Sequence, residues 1–167
     1  MVDNRCYNTY YSGMADLREE LQQRRPFGSP QEEAFLNVAR TDAVLRAAVE
    51  RLLEPHGVSI AQYNVLRILR GAGPDGLCRN EIRDRLITRM PDVTRLLDRM
   101  AAAGMITRDR GEEDRRQVRT RLTEHGRALV DSLDAPVAAE HHRLLGHLDD
   151  GQLRTLNQLL VAARNRG

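Results

Sequence analysis

Between residues 79 and 127 the spacing of apolar positions changes twice. Ile82 and Leu86 stand four apart, which predicts a short helix over 79–86 with one face turned to a core. After a brief turn, Val93, Leu96, Leu97 and Met100 recur at i, i+3, i+4 and i+7, the buried stripe of a second helix. Pro91 suits the first position of that helix, where its missing N–H costs nothing. Asp92, Thr94, Arg95 and Arg99 fall outside the stripe, and Gly104 fits the positive-φ position past its end. Over 105–110 and 118–123 the period shortens to two, and the polar loop 111–117 joins the two runs as a β-hairpin.

The flanking segments are helical. Residues 1–28 form an N-terminal extension with a short helix expected over 14–25, ended by Pro26. Ser29 and Pro30 are an N-cap and a first helical residue, and they open a long helix to about Glu54 carrying Phe35, Val38, Leu45, Val49, Leu52 and Leu53. Pro55 and Gly57 break it. Ser59 caps the next helix, in which Ile60, Tyr63, Val65, Leu66 and Leu69 repeat at helical spacing. A turn at 73–76 leads to a short strand over 76–78 that can pair with the hairpin. Thr123 caps a long helix to about Leu148, with a bend expected at Pro136. Asp149 or Asp150 caps a last helix striped by Leu153, Leu156, Leu159 and Leu160.

Two short helices followed by an arginine-tipped hairpin fit one task, holding the second helix in the major groove of duplex DNA. Arg95 is the first candidate for base or phosphate contact, then Thr94 and Arg89, with Arg99 on the same outer surface. Asp92 either caps the helix or accepts from a cytosine amino group. Arg115, Arg116 and Arg119 near the hairpin tip can reach a neighbouring minor groove, whose negative potential attracts guanidinium groups.

These residues resemble the MarR family of winged helix-turn-helix transcriptional regulators. The matching runs are VTRLLDRM (93–100), GMITR (104–108), DRR (114–116) and RLTEHGR (121–127). The resemblance implies a mainly α fold with a small β-hairpin wing, in which a winged helix-turn-helix over 59–123 is flanked by dimerisation helices over 29–54 and 124–167. It also implies that Asp114 orients Arg116 on the wing, and that a homodimer meets an inverted-repeat site on double-stranded DNA. A two-fold dimer sets its recognition helices roughly 34–36 Å apart. The chain departs from the family where Pro91 and Asp92 replace the Ser or Thr residues that often open this helix.

Composition changes the picture in two places. All 26 basic residues are arginine, so every cation is a planar donor suited to phosphates and guanine edges. The net charge is only +2, yet residues 79–121 hold twelve arginines against eight acids, so the basic excess sits in the proposed reading head. Aromatics make up 4% and tryptophan is absent, which leaves Leu, Val, Ile, Ala and Met to build the core. No apolar run is long enough for a membrane span and no secretory signal is visible, so a cytoplasmic location is expected.

Other chemistry is weakly signalled. The resemblance implies a small-molecule effector near the junction of dimer helices and reading head, with Arg40, His56, Tyr63 and Arg67 as candidates. Cys6 stands among Tyr7, Tyr10 and Tyr11, and peroxide-sensing relatives place a cysteine so, which makes redox response an alternative. A helical protein-binding adaptor that does not read DNA is another. His141, His142 and His147 have no spacing that brings three ligands to one helix face, so no metal site or cofactor is expected. Phosphate-loop, dinucleotide and nucleophile-elbow patterns are missing, and no enzymatic activity is expected.

Overall fold

The computed structural model describes residues 16–110 and 118–165. Two compact units make up the chain, residues 1–46 and 47–167. In the first, α1 (Leu17–Glu20) is a single turn capped by Asp16, whose carboxylate accepts the Glu19 N–H at 3.0 Å. The helix expected over 14–25 is therefore largely missing. Gln22 explains the early stop, because its φ of 53° is left-handed and cannot continue a right-handed helix. α2 (Pro30–Leu53) begins as Ser29 and Pro30 predict, with the Ser29 hydroxyl accepting the Glu32 N–H at 3.1 Å.

The second unit holds the reading head. A 3₁₀ turn (Glu54–His56) leads to α3 (Ile60–Ala72), which opens with a capping box. There the Ser59 hydroxyl accepts Gln62 N–H at 3.2 Å and the Gln62 carbonyl accepts Ser59 N–H at 2.9 Å. β1 (Leu77–Cys78), α4 (Arg79–Arg85) and α5 (Val93–Ala102) follow. Next come β2 (Ile106–Arg110), β3 (Val118–Leu122), α6 (Glu124–Leu145) and α7 (Asp150–Arg164). The strands form one antiparallel sheet in the order β1-β3-β2. Leu77 stands opposite Thr120, and the hairpin register runs from Ile106 opposite Leu122 to Arg110 opposite Val118.

Two boundaries differ from expectation near the site. α5 starts at Val93, so Pro91 precedes the helix instead of opening it; the carboxylate of Asp92 takes the cap one residue later. α6 closes at Leu145, short of Leu148, and runs through Pro136 as one helix. Asp149, not Asp150, caps α7, accepting from the Gly151 and Gln152 N–H groups.

One apolar core ties the unit together. Val65, Leu66 and Leu69 of α3, Ile82 of α4, all four stripe residues of α5, Ile106, and Val130, Leu133 and Val137 of α6 are buried in it. Each such side chain contributes roughly 1.5–3 kcal/mol when removed from water. At one edge Arg70 of α3 clamps α6, donating from Nη1 to Asp134 at 2.6 Å and to Asp131 at 2.8 Å, and from Nη2 to Asp134 at 3.0 Å. That paired geometry holds the Asp134 carboxyl below its usual range and drives Arg70 further up.

The start of α6 is fixed to the hairpin root. Thr123 donates its hydroxyl to Gly104 O at 2.7 Å, accepts Gly126 N–H at 2.9 Å, and gives its own N–H to Met105 O at 3.2 Å. Gly126 lies so close that a Cβ there would overlap the Met105 carbonyl oxygen. Gly104 has φ 68°, as its place after α5 predicts.

The outer helices bury much less. Of the α2 stripe only Leu53 is fully buried; Phe35 is 72% exposed and Val38 is also open. On α7, Leu153 and Leu160 are half-buried, while Leu156 and Leu159 are exposed. No helix among the described residues is long and apolar enough to cross a membrane.

Candidate nucleic-acid interface

The sequence VTRLLDRMAA makes α5 two-sided. Its four apolar residues are buried in the core, which turns Arg95, Asp98 and Arg99 outward. Asp92 serves the amino end twice. One carboxylate oxygen accepts the Arg95 N–H at 3.0 Å, and the other faces the Arg95 Nε at 3.0 Å. The Arg95 side chain is nevertheless 85% exposed, so the pair orients the guanidinium without hiding it. Thr94 is half-buried and accepts from Arg79 Nη1 at 3.5 Å. Arg89, Pro91 and Arg99 are all exposed.

Several contacts hold this helix in place. Arg108 on β2 pairs with Asp98, tying α5 to the hairpin. Asn64 on α3 accepts the backbone N–H of Ile87 at 3.0 Å and fixes the turn between α4 and α5. At the start of α4 the Glu81 carboxylate accepts the Cys78 N–H at 2.7 Å, which holds its pKa below the ordinary carboxylate value. Arg119 sits on β3 opposite Cys78, where its guanidinium lies 3.5 Å from both Gly76 O and Glu81. Arg121 donates to Pro74 O at 3.0 Å. Asp114, Arg115 and Arg116 lie outside the described residues, as does Cys6.

Reading the sequence missed Asn64, Arg79, Asp98 and Arg108 as parts of this assembly. Each partner lies on a different element, and no local pattern signals which polar residue will meet which. The one available signal was Asp98, a carboxylate on the outer face of an arginine-bearing helix, which calls for a cationic neighbour.

Of the four effector candidates, His56, Tyr63 and Arg67 lie in the second unit and Arg40 in the first. Tyr63 is buried with its hydroxyl unpaired among the described residues, and the Arg67 guanidinium lies 6.0 Å from its ring centroid. His56 is exposed in the 3₁₀ turn, and Arg40, in the first unit, pairs with Glu20 at 3.2 Å. An open cleft of about 620 Å³ near the start of α3 is lined by Glu50, Arg51, Glu54, Val58 and Ile60, among others, and by none of the four. Among the described residues no cluster of three metal-binding side chains occurs.

Comparison with known proteins agrees with this geometry. Residues 56–117 match the model of the MarR family. A MarR transcription factor from Planctomyces limnophilus is 38% identical in its crystal structure; the match covers 82% of this chain and 99% of that one, with a TM-score of 0.62. The regulator PecS of Dickeya dadantii is 23% identical over 90% of this chain and 92% of its own. A mutant MarR from E. coli, solved with operator DNA, shares the fold with a TM-score of 0.73 at 23% identity, covering 90% of this chain and all of that one.

Proposed function

This chain belongs to the MarR family of transcriptional regulators, and on that premise we propose that it acts in the cytoplasm as a homodimer that binds inverted-repeat duplex DNA. The observation that carries the reading is the two-sidedness of α5: its whole apolar stripe is sealed in the core, while Arg95, oriented by Asp92, and Arg99 are exposed on the opposite face. In this reading Arg89, Pro91, Asp92, Thr94, Arg95 and Arg99 meet the major groove. Arg115, Arg116 and Arg119 serve the backbone or the adjacent minor groove, with Asp114 orienting Arg116. Residues 29–54 and 124–167 supply the dimer contacts around a winged helix-turn-helix over 59–123, and the open apolar positions of α2 and α7 support that division. Such a dimer over a promoter obstructs polymerase without any activating surface, so repression is the proposed outcome.

Release by a small molecule completes the proposal. The buried Tyr63 hydroxyl, without a hydrogen-bond partner among the described residues, and the Arg67 cation over its ring support α3 as a contact for that effector, ahead of His56 and Arg40.

Selection from random duplexes tests the core of the reading. Enriched sequences are expected to show two-fold symmetry with half-sites one helical turn apart. Arg95→Ala should weaken binding and lower the slope of log K against log salt by about one counterion per protomer. Absence of any enriched sequence, or a slope that does not respond to Arg95, would count against it.

A further inference from the structure

We propose that Ile87 reads the 5-methyl group of a thymine in each half-site, adding an exposed aliphatic side chain to the mainly polar and charged interface proposed above. The inference rests on the DNA-binding reading above and extends it to a residue outside the recognition helix.

The turn between α4 and α5 is long. Helix α4 ends at Arg85 and α5 begins at Val93, leaving seven residues between them, where helix-turn-helix connections commonly use about three or four. That extra length is not slack. Leu86 is buried, the Ile87 N–H is held by Asn64 at 3.0 Å, Met90 packs half-buried on the core, and Asp92 caps α5. Between those anchors Ile87, Thr88 and Arg89 stand exposed, immediately before the helix end that carries Arg95.

Ile87 is 84% exposed, more than any other large hydrophobic residue described. A single apolar side chain on a surface needs no special reason by itself. Here the backbone that bears it is pinned from α3, with Leu86 buried on one side and Met90 half-buried on the other, so the side chain is held outward by construction. β-branching restricts its χ1, which lowers the entropy lost when it makes a contact. In the major groove the one apolar group that distinguishes bases is the thymine methyl. Arg89, two residues along on the same turn, is free to hold the neighbouring phosphate.

The test replaces each thymine of the selected duplex by uracil, one position at a time, and measures binding of wild type, Ile87→Ala and Ile87→Leu. Wild type should lose roughly fourfold per half-site at one symmetric thymine, the worth of one buried methyl group. Ile87→Ala should bind the thymine duplex more weakly and no longer distinguish the two bases there, with an unchanged melting temperature. Ile87→Leu should restore part of the discrimination. Equal loss by Ile87→Ala on thymine and uracil duplexes, or no thymine at which wild type discriminates, would overturn the assignment while leaving DNA binding intact. A wild-type chain that selects no sequence would overturn both.

Discussion

Helix α5 and helix α7 carry apolar stripes of similar spacing, but Val93, Leu96, Leu97 and Met100 are sealed inside the protomer whereas Leu159 is 64% exposed and Leu156 is also open. The difference lies in what each helix packs against. α5 sits between α4 and β2 on a core that already includes α3 and α6, so its stripe closes a volume. α7 leaves much of its stripe uncovered. A stripe therefore reports that a helix needs a partner, and says nothing of whether the same chain supplies it. In α5 the stripe fixes which way the arginines point; in α7 it leaves apolar surface open, which the proposed dimer would cover.

The sharpest way to break this contrast is to cut each stripe. Leu97→Ala should destabilise the protomer by about 3 kcal/mol, through lost burial and the cavity left behind. Urea denaturation reads this directly, and a loss below about 1 kcal/mol would mean that α5 is not sealed as described. Leu159→Asp should leave circular dichroism unchanged yet weaken self-association more than tenfold, since a carboxylate would replace an apolar side chain at the proposed interface. A dimer that persists in sedimentation at the wild-type concentration would move the interface away from α7.

A smaller effect comes from the clamp that joins α3 to α6. Asp134→Asn should cost about 1 kcal/mol near neutral pH, a modest figure because the carboxylate is partly exposed to solvent. The folded-state pKa of Asp134 lies below its unfolded value. The ionised pair therefore contributes fully above the unfolded value, about 4, and its contribution fades as pH falls through the folded value. The gap in melting temperature between wild type and variant should accordingly close in acid. A gap that stays constant down to pH 3 would exclude the clamp as its source.

Much of this arrangement is legible in the sequence. Thr123, Ser59 and Asp149 are caps because a short side-chain oxygen precedes a helical period, and the β1 strand follows from apolar residues placed after a turn. Where the pattern failed, competing local chemistry decided. Proline at 91 fits a first helical position, but Asp92 offers a better acceptor for the free N–H groups and shifts the start by two residues. The segment after Glu20 looks helical by composition, yet Gln22 goes left-handed. In the site, the outward arginines of α5 could be read from the inward stripe. The Asn64 bond to Ile87, the Asp98–Arg108 pair and the Arg70 clamp could not, because they join elements 10 to 64 residues apart and depend on the finished packing.

Gly126 gives the molecule a stiff elbow. Main chain rests directly on main chain where α6 leaves the sheet, with no side chain between to cushion a displacement, and Thr123 bolts the two sides together. A displacement at the start of α6 is therefore passed directly to the foot of the hairpin. The first turn of α6 and the root of the hairpin are thereby joined as one piece.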